Sequence, residues 1–459
     1  MRKIVQKRPY FILIVIILAF VLIRLAFIHP TFSDETFYFN AGKYALGGTV
    51  PYRDFFFAHP PLQLYVLAFV FRIFGASFWA AKAVSLLSAS LCVLLVYLIS
   101  KELSMGSNEK SAFLPSLISP FIFFVTPAFI AFSTMGYGMW ETTLLVLLSI
   151  YILTKHSTSE KSEFSAAIIF ALAIFFRYIA LLYLPFLILL LRTRKVKFKK
   201  FFFLTFASTL ILFLLCLSLF GQSYIDQTIY YHIFSKVSLE APMHQKMQYW
   251  GMGFFSMFLA LLSVYVAHIE KDNTLLVLAF TALAADLIIL MGLKLMFYHY
   301  FIISLPFYSI AAGRAFAASK DRIVQIIIPV VIALSIISNV QTIDFYLNPA
   351  YASRFYEAAK LVDIGSLENE TIFGEPVLTN YISFVTNRKI AGNYLDSYMR
   401  HLIFENTTHV VEKIRADDPK FLIEIDSYYK SDQNFKALFD EYSLEKTMPG
   451  IPNYFIYKK

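Results

Sequence analysis

"SDETFYFNAGKYALGGTVPYRDFFFAHPPL", residues 33–62, is a polar island in a very apolar chain. It carries Asp34, Glu35, Arg53, Asp54 and His59 directly after the first hydrophobic run, residues 10–27. Ser33 stands where a helix N-cap is expected, Asp34 and Glu35 fall in the first turn, and Gly47-Gly48 gives a stop. Phe37, Ala41, Tyr44 and Ala45 follow helical spacing, so the segment reads as a helix with one apolar face lying along a membrane surface. Pro60-Pro61 opens a second helix, since proline is tolerated in a first turn. That helix, residues 62–74, is too short to span a bilayer and reads as interfacial.

The rest of the chain explains why such an island is unusual. Of 459 residues, 58% are hydrophobic and only 15% charged, too little charge to cover the surface of a soluble domain of this length. Apolar segments near residues 10–28, 79–100, 111–131, 139–154, 164–176, 179–191, 201–220, 251–268, 274–292, 298–316 and 323–340 indicate a polytopic membrane protein. The first run lacks a small-residue cleavage pattern at Ile28-His29-Pro30 and is read as a retained helix. Cys92 and Cys216 both lie in apolar runs, which gives neither a disulfide framework nor a metal site.

The net charge of +9 is topological. Arg2, Lys3, Lys7 and Arg8, then Lys101 and Lys110, Lys155 and Lys161, the cluster from Arg192 to Lys200, and Arg314, Lys320 and Arg322 occupy alternate loops. The positive-inside rule places these in the cytoplasm, which removes nucleic acid as a partner. Two zones expected to be largely non-helical, residues 29–78 and 221–250, then lie outside. The segment 164–191 is too long for one span and reads as two short helices meeting near Arg177.

Residues 341–459 differ. Charges become frequent, the runs at 420–425 and 453–457 read as strands, and stretches around 352–362 and 433–442 are amphipathic. A small outer α/β domain is expected there, beside a helical region over 1–340 whose first outer loop is 29–78.

Two adjacent carboxylates, an Arg-Asp pair and a histidine at one membrane face suit acid–base chemistry, because a carboxylate held against apolar surface gains proton affinity unless paired. Asp34-Glu35 followed by His59-Pro60-Pro61-Leu62 resembles the first outer loop of integral-membrane glycosyltransferases with the GT-C fold. The match is to the dolichyl-phosphate-mannose–protein mannosyltransferase group (glycosyltransferase family 39) and its relatives, including the aminoarabinose transferase. "ALAIFFRYIALLYLPFLILLL" resembles the family's paired short helices broken at a basic residue, and "FYHYFIISLPFYSIAAG", residues 297–313, its late helix bearing His and Tyr.

The resemblance implies a polytopic α-helical membrane protein of GT-C type, with about 11 transmembrane helices and a small C-terminal extracytoplasmic α/β domain. It implies transfer of a sugar from a polyprenyl phosphate to an acceptor hydroxyl on protein, glycan or lipid, with inversion. Asp34 matches the family's base and Glu35 its neighbour. Arg177 would meet the lipid phosphate, or else snorkel near a helix end. His59, Arg53, Lys294 and His299 are further candidates for holding phosphate or sugar. Glu141 lies near the point where relatives carry an acid, usually Asp; an ordinary acidic helix start reads equally well. Tyr231 and His232, beside Tyr230, line a sugar site or form an interfacial aromatic belt.

No cofactor is called for. A divalent cation gathered by Glu35, His59 and Glu141 stays open, with no ligand spacing that compels it. A transporter or flippase of lipid-linked sugars is the alternative. It would predict an internal repeat and midplane charges, whereas the ionisable groups here gather at outer ends. An inactive relative that only binds such lipids is the third reading.

Overall fold

The computed structural model describes residues 8–31, 33–104, 109–155, 159–193, 199–236, 243–292, 298–398, 406–449 and 453–459. The chain forms two compact units, Met1–Ala26 with Ala83–Leu347, and Phe27–Lys82 with Asn348–Lys459. The outer loop expected to belong to the helical region therefore folds with the C-terminal residues, and the boundary expected after 340 falls after Leu347.

The first unit is helical. Helices Arg8–Ala26, Glu109–Val125, Met139–Lys155, Glu160–Phe176, Lys199–Phe220, Met243–Ile269, Asn273–Gly292, Leu305–Ala318 and Arg322–Ser338 lie over the apolar runs of the sequence. Among the described residues, Phe78–Ser104 and Lys199–Phe220 are long and apolar enough to cross a bilayer, and the other apolar helices are shorter. The two differ in their surroundings. The apolar window of Phe78–Ser104 is 67% buried, whereas that of Lys199–Phe220 is only 11% buried. Phe203, Phe206, Ile211 and Leu219 stand exposed on the latter, a face that water disfavours and lipid accepts.

Small residues let other helices approach closely. A Cβ on Gly313 would come within 2.3 Å of Ser119 Oγ, so Leu305–Ala318 and Glu109–Val125 pack backbone to backbone. Ser100 Oγ donates to Pro115 O (3.0 Å) nearby. Asp286, inside Asn273–Gly292, is fully buried and accepts from Ser304 Oγ (2.6 Å) and Tyr308 Oη (2.7 Å). Those bonds tie helices together.

The long segment around Arg177 breaks there. Arg177 is extended (φ −151°, ψ 125°), and a 3₁₀ turn, Tyr178–Tyr183, leads into Leu184–Thr193. The stretch 221–250 corrects the non-helical expectation. Gln222–Ile225 continues into a π-helix, Asp226–Lys236, and Met243 begins the next α-helix. Over residues 222–236 mixed polar and aromatic side chains interrupt the apolar run while the backbone stays helical, so hydropathy alone could not see it.

In the second unit, helix Glu35–Leu46 lies against Leu62–Phe74 and Pro376–Thr386. Gly42 permits the first contact, since a Cβ there would come within 2.8 Å of Leu67 Cβ. Side-chain bonds make the second: Asn40 Nδ2 donates to Asn380 Oδ1 (3.1 Å) and Ser383 Oγ (3.0 Å), and Thr36 Oγ1 to Val377 O (3.0 Å). The single apolar face expected is therefore incomplete, because Glu35, Thr36 and Asn40 are buried as well. Leu62–Phe74 is two-sided, with Leu64, Leu67 and Phe71 inside and Tyr65, Phe69 and Ile73 outside.

Among the described residues, five strands belong to this unit: β1 (Thr371–Gly374), β2 (Lys389–Ile390), β3 (Phe421–Ile425), β4 (Ser443–Met448) and β5 (Tyr454–Lys458), in the order β2-β1-β3-β5-β4. β1 runs parallel to β2 and β3, while β5 is antiparallel to β3 and β4. Phe373, Leu422, Tyr429, Phe435 and Phe439 form the core on one face.

Candidate active site

Asp34 is the N-cap residue of Glu35–Leu46, one place later than expected. The Ser33 hydroxyl lies 3.0 Å from that of Thr31. Asp34 keeps partial exposure. Its Oδ1 accepts a 2.6 Å hydrogen bond from Tyr398 Oη, 364 residues along the chain.

Glu35 is in the opposite condition. It is fully buried, its Oε1 lies 2.8 Å from Lys82 Nζ, and it accepts from Thr31 Oγ1 (2.7 Å) and Thr31 N (3.2 Å). Lys82 is itself 1% exposed. An ion pair this deep survives desolvation only with such added hydrogen bonds, and losing one partner strands the other. The pair clamps the helix start that carries Asp34.

His59 is half-buried, with Nε2 3.0 Å from Tyr38 Oη, and its carbonyl accepts from Tyr52 Oη (2.7 Å). Both tyrosines fix the ring and backbone just before Pro60-Pro61. Arg53 is exposed and pairs with Asp54 (2.8 Å). The guanidinium, together with the Val50 N–H (2.8 Å), holds the Asp54 carboxyl below its ordinary range. Arg53 thus closes a turn at the surface.

The first unit holds a second group. Glu141 sits in the first turn of Met139–Lys155, is 7% exposed, and accepts from Ser85 Oγ (2.7 Å). The Arg177 and Glu141 charges attract. Arg177 is 6% exposed, and its Nε donates to Tyr137 O (2.7 Å). That burial removes the snorkelling alternative, in which the head would reach water. The Tyr137 ring stacks on His299, centroids 4.4 Å apart at 30°. Glu141, Arg177 and His299 are therefore gathered around the segment at Tyr137. Tyr231 is buried on the π-helix with the His232 ring 5.4 Å away, and Lys294 lies outside the described residues.

Sequence reasoning missed three groups. Lys82 carried a signal, a lone charge near the start of a long apolar helix. Tyr398 and Glu375 carried none. Glu375 is the N-cap of Pro376–Thr386, 4% exposed, with Oε2 accepting from Leu378 N (2.8 Å). Burial raises its carboxyl to about 7, and the Asp34 charge adds to the rise. Among the described residues, no three His, Cys, Asp or Glu side chains are grouped as a metal ion would need. Glu35, one of the side chains considered for a cation, is committed to Lys82.

The family model of dolichyl-phosphate-mannose-protein mannosyltransferases matches residues 58–219, a span holding His59, Glu141 and Arg177. The chain resembles ArnT from Cupriavidus metallidurans bound to undecaprenyl phosphate, at 10% identity and TM-score 0.69, over 98% of both chains. It also resembles the oligosaccharyltransferase AglB from Archaeoglobus fulgidus in complex with an inhibitory peptide and a dolichol-phosphate. There the identity is 11% and the TM-score 0.53, over 99% of this chain and 74% of that one. The Archaeoglobus fulgidus enzyme with Zn and sulfate matches at 11% and 0.51, over 94% and 69%. No curated protein matches the sequence. The protein has the GT-C fold.

Proposed function

We propose that the protein transfers a sugar from a polyprenyl phosphate to an acceptor hydroxyl at the outer membrane face, with inversion. The observation that carries this reading is the full-length likeness in fold to ArnT, a protein seen with undecaprenyl phosphate bound. In the proposed step Asp34 takes the proton of the acceptor hydroxyl and the acceptor oxygen bonds to the anomeric carbon. The bond from that carbon to the phosphate oxygen breaks, and the polyprenyl phosphate leaves with the electron pair. A positioned base of this kind supplies about 10²–10⁴-fold. Arg177 is assigned to the phosphate, since a guanidinium matches phosphate oxygens two at a time, with His299 beside it. Glu141 opposes the Arg177 charge and orients it. Glu35 acts through Lys82 to hold the helix start. His59, Tyr231 and His232 are assigned to lipid phosphate or sugar, and Arg53 to the outer rim.

The reading includes eleven spans, the N-terminus inside and residues 341–459 outside. Protease added to sealed, right-side-out cells should remove the tail; protection of the tail while control outer epitopes are cut would overturn this topology. The functional test uses purified protein in lipid with a panel of polyprenyl-phosphate sugars and mixed protein, glycan and lipid acceptors. Sugar transferred to an acceptor with release of polyprenyl phosphate is expected. Movement of the lipid-linked sugar between leaflets without transfer would establish the flippase instead.

A further inference from the structure

The residues that hold Asp34 come from the far end of the chain. Tyr398 Oη donates to Asp34 Oδ1 at 2.6 Å, and the segment bearing Tyr398 is itself pinned. Ser397 Oγ donates to Gly374 O (2.6 Å), and the single Tyr429 O–H is shared between Gly374 O and Ser397 O, each 2.8 Å away. Tyr429 is wholly buried in the core with Phe373, Phe435 and Phe439, so its hydroxyl is a fixed point. Gly374 ends β1 with φ +147°, and a Cβ there would strike the Ile423 carbonyl at 2.0 Å. Only glycine allows β1 and β3 to meet so closely while presenting that carbonyl. The next residue, Glu375, faces Asp34 closely enough for the two charges to repel.

We infer that Tyr398 is a positioning residue for the proposed base, so that the C-terminal α/β portion takes part in the chemistry; this rests on the glycosyltransferase reading above. A hydrogen bond to one carboxylate oxygen fixes the plane of the carboxylate, and rotation about the Asp34 side chain would otherwise misdirect proton transfer.

The test compares Tyr398→Phe, Asp34→Asn and the double variant in the transfer assay, with unfolding temperature measured for each. Tyr398→Phe keeps the ring and removes only the hydroxyl. It should lower kcat about ten- to a hundredfold, as expected for losing a bond to a charged group, with the KM for donor lipid and the unfolding temperature unchanged. In the Asp34→Asn background it should cost less than about twofold, because no proton-accepting carboxylate is left to position. Unchanged kcat, or an equal loss in both backgrounds, overturns the positioning role while leaving the glycosyltransferase reading intact. A wild type that transfers from no donor overturns that reading and this role together.

Discussion

Asp34 and Glu141 are both acids at helix starts, and from sequence they read alike. Their surroundings separate them. Asp34 stays partly exposed and is held at one oxygen by a phenol. Glu141 is buried, held by Ser85 and drawn toward Arg177. An acid that must take a proton and release it again needs access, whereas one that balances a buried cation needs permanence. On the reading proposed above, the contrast favours Asp34 for proton transfer and leaves Glu141 a supporting place beside Arg177.

That division can be broken by exchange of each acid for its amide. Asp34→Asn should lower transfer by about 10²–10⁴-fold, with normal expression and little change in donor affinity. Glu141→Gln keeps the hydrogen bond from Ser85 and should act chiefly on donor KM, through a less well placed Arg177. Equal kcat losses without a KM effect would erase the distinction.

A second comparison is between Glu35 and its neighbour Asp34. Lys82→Met leaves the Glu35 carboxylate buried without its cation, a loss on the order of 3–5 kcal/mol. Unfolding of the purified protein should show it as a large fall in midpoint, restored in part by adding Glu35→Gln. A stable Lys82→Met protein would return Glu35 to the chemistry.

Glu375 gives a pH signature. Its carboxyl is raised from 4.5 to about 7 in the folded state, so the folded chain holds that proton longer than the unfolded one. Its contribution to stability is complete below about pH 4.5 and is lost as pH rises towards 7, on the order of 3 kcal/mol in all. Glu375→Gln should flatten the fall in unfolding midpoint between pH 5 and 8; an unaltered slope would show that other groups govern it.

The smallest effect is expected at Arg177. Arg177→Ala should cost roughly 1.5–3 kcal/mol in transfer efficiency at limiting donor. Arg177→Lys should recover only part, lacking the paired N–H geometry. An alanine variant with an unchanged rate would make Arg177 a structural residue that anchors the Tyr137 carbonyl.

Local structure was legible in the sequence wherever it was carried by local pattern. Asp34-Glu35 and His59-Pro60-Pro61-Leu62 could be read because spacing and helix punctuation lie within thirty residues. The break at Arg177 could be read because one charge interrupts an apolar run. The polar side of Glu35–Leu46 was misread as an outer face, since Asn40 and Thr36 are buried by bonds to residues about 340 positions away. Tyr398 and Glu375 were invisible for the same reason: a tyrosine or glutamate in an α/β stretch announces nothing until the fold brings it to Asp34. Lys82 was readable and overlooked, as its charge stands alone near the start of an apolar helix.

The most direct test of Asp34 as general base supplies a nucleophile that needs none. Azide carries no proton to remove, so it can attack the anomeric carbon without help from a carboxylate. Wild type and Asp34→Asn are each given polyprenyl-phosphate sugar and azide, and the glycosyl azide is quantified beside transfer to a hydroxyl acceptor. Asp34→Asn should lose the hydroxyl product by 10²–10⁴-fold while forming glycosyl azide at a rate close to that of wild type. Loss of both products together would contradict the assignment, because Asp34 would then be needed to bind the donor or shape the site rather than to take the proton.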